Sequence, residues 1–323
     1  ISSAASDVYK RQYHTLTDGA IHRAMAFLLD HLPGNMHLVI ASRTDPPLPL
    51  ARLRVRGQMS ELRDADLRFT PGEVTAFLNQ VMGFDLSPAD VAALGTRTEG
   101  WIAGLQLAAL SMRDRDDAAG FARSFSGSHR YVLDYLTGEV LRQQPPIVQE
   151  FLLRTSILEQ LNGPLCDEVA GNLETTELAR SADSPTPRFP DTQSILEHLE
   201  AAILFVVPLD DQRKWYRYHS LFADFLQAYL QRTAPEQVPK LHQRAAAWYQ
   251  GHGLLAEAID HSLLAGDFDE AAQLLEAVAE ATLIRREIAT FLRWVEALPD
   301  ELIRARPILR LYHAWALFLA ARP

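Results

Sequence analysis

A chain of 323 residues, 48% of them hydrophobic, is long enough for two or three domains with ordinary buried cores. No apolar stretch reaches the roughly 18 residues that a membrane-spanning helix needs, and a single cysteine, Cys166, excludes an intrachain disulfide and a thiolate metal site. The net charge of −10 disfavours general nucleic-acid binding, because phosphates attract clustered Lys and Arg. We therefore expect a protein of the reducing cytoplasm that contacts no membrane and binds no metal through its own residues.

The first residues, "ISSAASDVYKRQ", have no apolar face and no helix cap. Residues 2–12 can be back-translated, codon for codon, into a transposase adapter that is used to prepare DNA sequencing libraries. We expect residues 1–12 to be an adapter-encoded artefact or a disordered segment, with the native sequence beginning near Tyr13. A natural disordered tail is the alternative.

Residues 13–69 have the pattern of the last part of an α/β domain. The run "AIHRAMAFLLDHLPGN" predicts a helix ending at Leu32, and "MHLVIAS" predicts a fully buried parallel strand. "GQMSELR" predicts one further strand. The alternating arginines of "ARLRVRG" suit the solvated face of an extended segment better than a basic binding stripe.

Residues 70–128 predict a small helical domain. In "FTPGEVTAFLNQVMG", Thr70 is the expected N-cap, with Glu73 completing a capping box. Ser87 begins a second helix in the same way, and "TEGWIAGLQLAALSMR" predicts a third.

Residues 129–234 predict a winged-helix domain. Helices are expected around "YVLDYLTGEVLRQQP" and "IVQEFLLRTSIL", followed by the strands "LFVVPLD" and "KWYRYH" of a hairpin and by a closing helix. Residues 235–323 alternate short helices with glycine-containing turns, which predicts tetratricopeptide-like helical repeats of degenerate period. The fold class that we predict is mostly α, with a remnant of an α/β nucleotide-binding domain before the helical, winged-helix and repeat domains.

The strongest local candidate for a binding site is "LVIASRTDPPLPL". Ligands of α/β sheets bind beyond the carboxyl ends of strands, where Arg43 and Thr44 are expected. A guanidinium there could contact a terminal phosphate. The alternative is a surface arginine paired with Asp45.

Four motifs in this order resemble one family: "HLVIASRTDPPLPLARLRVRGQMSELRDADLRFT", "TEGWIAGLQLAALSMR", "FLLRTSILEQLNGPLCDEV" and "LFVVPLDDQRKWYRYHSLFADFL". It is the family of large ATP-dependent LuxR-type transcriptional regulators, signal-transduction ATPases with a P-loop ATPase domain and further domains. The resemblance covers nearly all of residues 13–323.

The resemblance implies a set of nucleotide contacts. Arg43 matches the arginine that senses the terminal phosphate, next to Thr44. Trp101, Gly104 and Leu105 lie in the segment that matches the adenine-side motif, although the "GLQL" run lacks the proline that relatives outside this subfamily often have. His219 matches a winged-helix histidine that contacts the ADP β-phosphate; its alternative is a packed structural residue.

The family pattern also shows what is missing from this sequence. G-x-x-x-x-G-K-[ST] does not occur, and no apolar strand ends in paired acids. The resemblance places both motifs upstream of Tyr13, so we expect no ATPase activity from this chain alone. It implies ATP or ADP with Mg²⁺ in the full-length protein, an inducer at the helical repeats, self-association in the active state, and DNA binding through a further C-terminal domain. The alternative is a helical-repeat scaffold that binds a protein partner and has no nucleotide function.

Overall fold

The computed structural model describes residues 6–10, 13, 16, 18–42, 45–113, 117–171, 173, 189, 191–202 and 204–320. Within those residues the chain forms eighteen α-helices and four short strands, so the predicted mostly-α fold class is confirmed. The chain divides into two compact units. Unit 1 comprises Ile1–Ser124 and Glu197–Val207, and unit 2 comprises Phe125–Leu196 and Pro208–Pro323. The predicted domain boundaries at residues 69, 128 and 234 stay predictions.

Unit 1 begins with a parallel pair of strands, β1 (Ser6–Lys10) and β2 (Met36–Ile40). The helix α1 (Gly19–Asp30) connects them and starts where the Asp18 carboxylate accepts a hydrogen bond from the Ala20 amide at 2.8 Å. Ser6–Lys10 is thus a strand, and the assignment of residues 1–12 to an adapter-encoded artefact or a disordered segment stays a prediction. The hydrogen bonds between two strands are made by backbone groups and do not depend on the side chains. The exposed edge of β2 can therefore pair with any extended segment, native or adapter-encoded.

The strand β2 also differs from its prediction, because its residues alternate between half-buried and exposed. Val39 is 46% exposed. A strand is buried on both faces only where helices cover both faces of its sheet, and among the described residues the sheet that contains β2 has only two strands, β1 and β2.

The segment after β2 is helical where an extended chain was expected. Two short helices form, α2 (Leu50–Val55) and α3 (Asp64–Leu67), and no strand forms over residues 57–63. The arginines of "ARLRVRG" make local ion pairs that suit a helix surface: Arg52 pairs with Asp30 at 2.6 Å, and Arg54 pairs with Glu61.

The rest of unit 1 is a helical bundle close to the one predicted. Its elements are α4 (Pro71–Thr75), which continues as a π-helical turn over Ala76–Val81, α5 (Pro88–Thr98), α6 (Ile102–Met112) and α7 (Ala118–Ser124). Both predicted caps are present, since Thr70 accepts from the Glu73 amide and Ser87 from the Asp90 amide. Leucines and a methionine with at most 1% exposure fill the core: Leu78, Leu94, Leu105 and Met112.

The described part of residues 125–234 has the helices and hairpin of a winged helix. The chain forms α8 (Arg130–Glu139), α9 (Pro146–Thr155), α10 (Gly163–Ala170), α11 (Thr192–Ala201), β3 (Val206–Pro208), β4 (Tyr216–Tyr218) and α12 (Ser220–Thr233). The hairpin turn is held by the Asp210 carboxylate, which accepts from the Lys214 and Trp215 amides at 3.0 Å. An antiparallel bridge between Leu161 and Tyr216 adds a third extended segment.

The last part of unit 2 is a run of packed helices. They are α13 (Val238–Gly251), α14 (Leu255–Ala265), α15 (Phe268–Ile284), α16 (Ile288–Glu296), α17 (Asp300–Ala305) and α18 (Pro307–Ala320). Gly266, with φ +75°, ends α14, and Asp267 at once caps α15 by accepting from the Glu270 amide. Among the described residues, no helix has both the length and the apolar character needed to cross a bilayer.

Candidate functional site

The predicted phosphate-sensing residues Arg43 and Thr44 lie outside the described residues. The segment on either side of them is described: β2 ends at Ile40, and Asp45 pairs with Arg63 at 2.5 Å. Asp45 was the expected partner of Arg43 if Arg43 is a surface residue, and it is thus already paired with Arg63.

The turn before α6 is built from left-handed backbone. Glu99 has φ +49° and Gly100 has φ +73°. A Cβ at Gly100 would lie 2.5 Å from the Phe69 carbonyl oxygen, while the Gly100 carbonyl accepts from the Phe69 amide at 2.8 Å. Only glycine combines this φ with so close an approach of two backbones. The turn fixes Trp101, whose amide donates to the Thr98 carbonyl at 2.8 Å.

The three predicted adenine-side residues lie together at the start of α6, with different exposure. Trp101 is the N-cap residue and is half-buried, whereas Gly104 and Leu105 are buried, Leu105 completely. The Trp101 ring meets the edge of Phe205 at 5.0 Å between centroids, with an interplanar angle of 79°. Of the three, Trp101 has side-chain surface on which a base could stack, and Leu105 contributes to the core.

His219 lies in unit 2 at the N-cap position of α12 and is 2% exposed. Its carbonyl accepts from the Phe222 and Ala223 amides at 2.9 Å. The preceding Tyr218 is also buried, which raises the pKa of its phenol, and its hydroxyl bonds to Thr155 at 2.7 Å. This environment suits the packed structural alternative, so a phosphate contact by His219 stays a prediction.

The fit to a nucleotide is therefore partial. Trp101 offers an accessible aromatic ring at the start of a helix, while Leu105 and His219 are enclosed by protein. The predicted residues of α6 come together, and His219 belongs to the other compact unit.

The structure adds two features that the sequence interpretation missed. One is Phe205, the aromatic partner of Trp101, whose backbone is left-handed at φ +57°. A left-handed phenylalanine has no signature in a sequence, so no signal could have indicated it.

The other feature is a buried histidine pair between α13 and α14. The Nδ1 atoms of His242 and His261 are 2.8 Å apart, and the Tyr249 ring stacks on His261 at 5.3 Å. Desolvation lowers the pKa of each histidine to about 4. The spacing of Leu241, Ala245 and Tyr249 on one face could have indicated that His242 is buried too. Among the residues that the structure describes, no group of three or more acidic, His or Cys side chains is arranged to hold a metal ion.

Comparison with known proteins shows which proteins this chain resembles. Residues 137–238 match the family model of the MalT winged helix domain, which confirms the winged helix predicted for this part of the chain. Over 311 residues, including the winged helix, the chain is 36% identical to the serine/threonine-protein kinase PknK of Mycobacterium tuberculosis. This alignment covers 96% of this chain and 26% of PknK. The chain is also 36% identical over 305 residues to the HTH-type transcriptional regulator MalT of Yersinia pestis, which is 94% of this chain and 32% of that protein.

The chain is thus MalT-like over nearly all of its length, and the resemblance to ATP-dependent regulators that its motifs predicted is confirmed. It spans between a quarter and a third of the length of these curated relatives.

Proposed function

We propose that this chain is a regulatory region of a nucleotide-switched transcriptional regulator. The observation that carries the proposal is the 36% identity to the HTH-type transcriptional regulator MalT over 94% of the chain, with a MalT winged helix domain at residues 137–238. The α/β, helical, winged-helix and helical segments then have the order expected for such a regulator.

In this proposal the bound nucleotide, ATP or ADP, determines which of two conformational states the regulator adopts. ATP or ADP, with Mg²⁺, would be held in the full-length protein. Arg43 and Thr44 would hold the terminal phosphate, Trp101 would offer its ring to the adenine, and His219 would donate to the β-phosphate of ADP. Gly104 and Leu105 act indirectly, by packing the start of α6 so that Trp101 keeps its orientation.

The partners follow from the same assignment. An inducer binds the helical repeats after residue 235, the opened protein self-associates in the cytoplasm, and DNA is bound by a domain beyond the described residues. The tetratricopeptide-like character of the repeats is supported by the successive packing of α13 to α16.

A second function is favoured by the kinase match. PknK is named a serine/threonine-protein kinase, yet it shares 36% identity with 96% of this chain. A similar region therefore occurs both in a protein named as a kinase and in one named as a transcriptional regulator. This supports a role as a scaffold that receives a signal or binds a protein partner, while neighbouring domains determine the response.

The test uses the complete reading frame, recovered by extending the source DNA on both sides, and measures ADP and ATP binding by equilibrium dialysis. We expect one nucleotide per chain, with Arg43→Ala losing discrimination between ATP and ADP and His219→Ala weakening ADP binding. Arg52→Ala, on the surface of α2, is the matched control and binds like the parent. A folded full-length protein that binds neither nucleotide contradicts the switch and leaves the scaffold.

A further inference from the structure

One buried hydroxyl group in unit 1 has no hydrogen-bond partner. The Oγ atom of Ser42 is enclosed by protein and makes no hydrogen bond to any described group. A hydroxyl in this position has given up its hydrogen bonds to water and gained none in return, which costs free energy on folding. Such a group in a folded protein calls for an explanation, and ligand binding is one that its surroundings can support or exclude.

Ser42 lies just beyond the carboxyl end of a parallel strand. Lys10 and Ile40 are partners in the register, and they are the last residues of β1 and β2, so both strands end at the same edge of the sheet. In α/β sheets, ligands bind beyond this edge. Ser42 is two residues past the end of β2 and directly precedes Arg43 in the sequence.

Hydrogen bonds on the β1 side hold the backbone next to Ser42. The Tyr13 amide donates to the Ala41 carbonyl at 3.1 Å. The Tyr13 side chain is fully buried, and its hydroxyl bonds to the Nδ1 atom of His22 at 3.1 Å. These bonds join residues that follow position 12, so they do not depend on the origin of residues 1–12. The Ser42 hydroxyl is therefore attached to a fixed part of the sheet edge.

We propose that Ser42 is a further nucleotide-binding residue, whose hydroxyl donates a hydrogen bond to a phosphate oxygen of ATP or ADP. The inference rests on the proposed nucleotide-switched function and adds a residue that the motif resemblance did not indicate. A serine hydroxyl is a short donor that rotates to suit its acceptor, and a phosphate oxygen beyond the strand end supplies that acceptor. The bond satisfies a donor that the described groups leave unpaired.

The chain contains a matched control for the removal of such a hydroxyl. Ser262 is 1% exposed, and its Oγ likewise makes no hydrogen bond to a described group. It lies within the helix α14 of unit 2, where no strand ends. Ser42→Ala and Ser262→Ala thus delete the same chemical group in two different settings. Any general effect of deleting a buried hydroxyl should appear in both variants.

The test combines a binding measurement with a stability measurement. Equilibrium dialysis of ATP and ADP with the complete reading frame gives the affinity, and urea denaturation of the 323-residue chain gives the stability. In Ser42→Ala we expect nucleotide affinity to fall about tenfold. Its urea midpoint should not fall, because the hydroxyl makes no bond to the described chain. Ser42→Thr keeps a hydroxyl and should retain most of the affinity, and Ser262→Ala should bind like the parent.

Three results overturn the proposal while the nucleotide switch stands. Equal affinities of Ser42→Ala and the parent show that the hydroxyl binds no phosphate. A lower urea midpoint or loss of folding in Ser42→Ala shows that the hydroxyl makes a structural bond, for example to a buried water molecule. An affinity of Ser42→Thr as low as that of Ser42→Ala shows that side-chain shape matters and the hydroxyl does not. A folded parent that binds neither nucleotide instead removes the switch and this proposal together.

Discussion

At the residue scale, Gly100 carries the sharpest steric constraint. In Gly100→Ala, the new Cβ meets the Phe69 carbonyl oxygen at 2.5 Å, at a φ of +73°. We expect a loss of about 3 kcal/mol in the free energy of unfolding of unit 1, measured by urea denaturation. Gly57→Ala is the control, because Gly57 has φ +63° and no atom within 4 Å of a new Cβ. Its cost should be about 1 kcal/mol, and equal costs for the two variants would contradict the steric argument.

A second residue-scale prediction concerns the buried hydroxyl pair of the winged helix. Tyr218→Phe removes the 2.7 Å hydrogen bond to Thr155, whose hydroxyl still donates to the Phe151 carbonyl. We expect a loss of about 1 kcal/mol in unfolding free energy, measured by thermal or urea denaturation. Tyr131→Phe, at a 47% exposed position, should change stability by less than about 0.5 kcal/mol. A Tyr218→Phe chain as stable as the Tyr131→Phe chain would show that the bond contributes nothing.

At the element scale, the histidine pair makes the packing of α13 on α14 sensitive to acid. The pKa of His242 and of His261 is about 4 in the folded chain, because both rings are desolvated, against about 6.5 when unfolded. Between these values the unfolded chain binds more protons, so stability is complete above pH 6.5 and is lost as the pH falls towards 4. The negative charge of Asp260 beside His261 opposes this, but its carboxylate is shared with Arg293 and Trp294.

The expected slope is up to about 1.4 kcal/mol per pH unit for each histidine. Urea denaturation of the chain at several pH values between 7 and 4 measures it. The double variant His242→Gln, His261→Gln should flatten the dependence, whereas His31→Gln, at an exposed position, should leave it unchanged. A parental slope in the double variant would assign the acid sensitivity to other groups.

Elements specified by nearby residues could be predicted from the sequence, and elements specified by distant ones could not. The caps at Thr70 and Ser87 need only residues three positions away, and both form. The strand expected at residues 57–63 needs a neighbouring strand for its hydrogen bonds, and it does not form. The motif resemblance indicated Trp101 as a site residue, but its partner Phe205 lies a hundred residues away and depends on tertiary packing.

At the scale of the whole molecule, the two compact units should unfold separately. Among the described residues, the aromatic side chains that are less than 2% exposed lie mostly in unit 2: Tyr13 is in unit 1, whereas Phe125, Phe151, Tyr216, Phe222, Phe225 and Phe291 are in unit 2. We therefore expect unit 1 to unfold at lower urea concentration than unit 2. Circular dichroism should show two transitions. Fluorescence of Trp101→Phe should follow only the second, because the other four tryptophans lie in residues 208–323. A single coincident transition would contradict independent units.

The parallel pairing of β1 with β2 has a consequence for shortened versions of the protein. Ser6–Lys10 contributes backbone hydrogen bonds along the whole of Met36–Ile40. Deleting residues 1–12 leaves those carbonyls and amides of β2 open, and an extended segment of a second molecule satisfies them equally well. We therefore expect a chain truncated at Tyr13 to self-associate through β2 as its concentration rises. A synthetic peptide with the sequence of β1 should compete with this self-association.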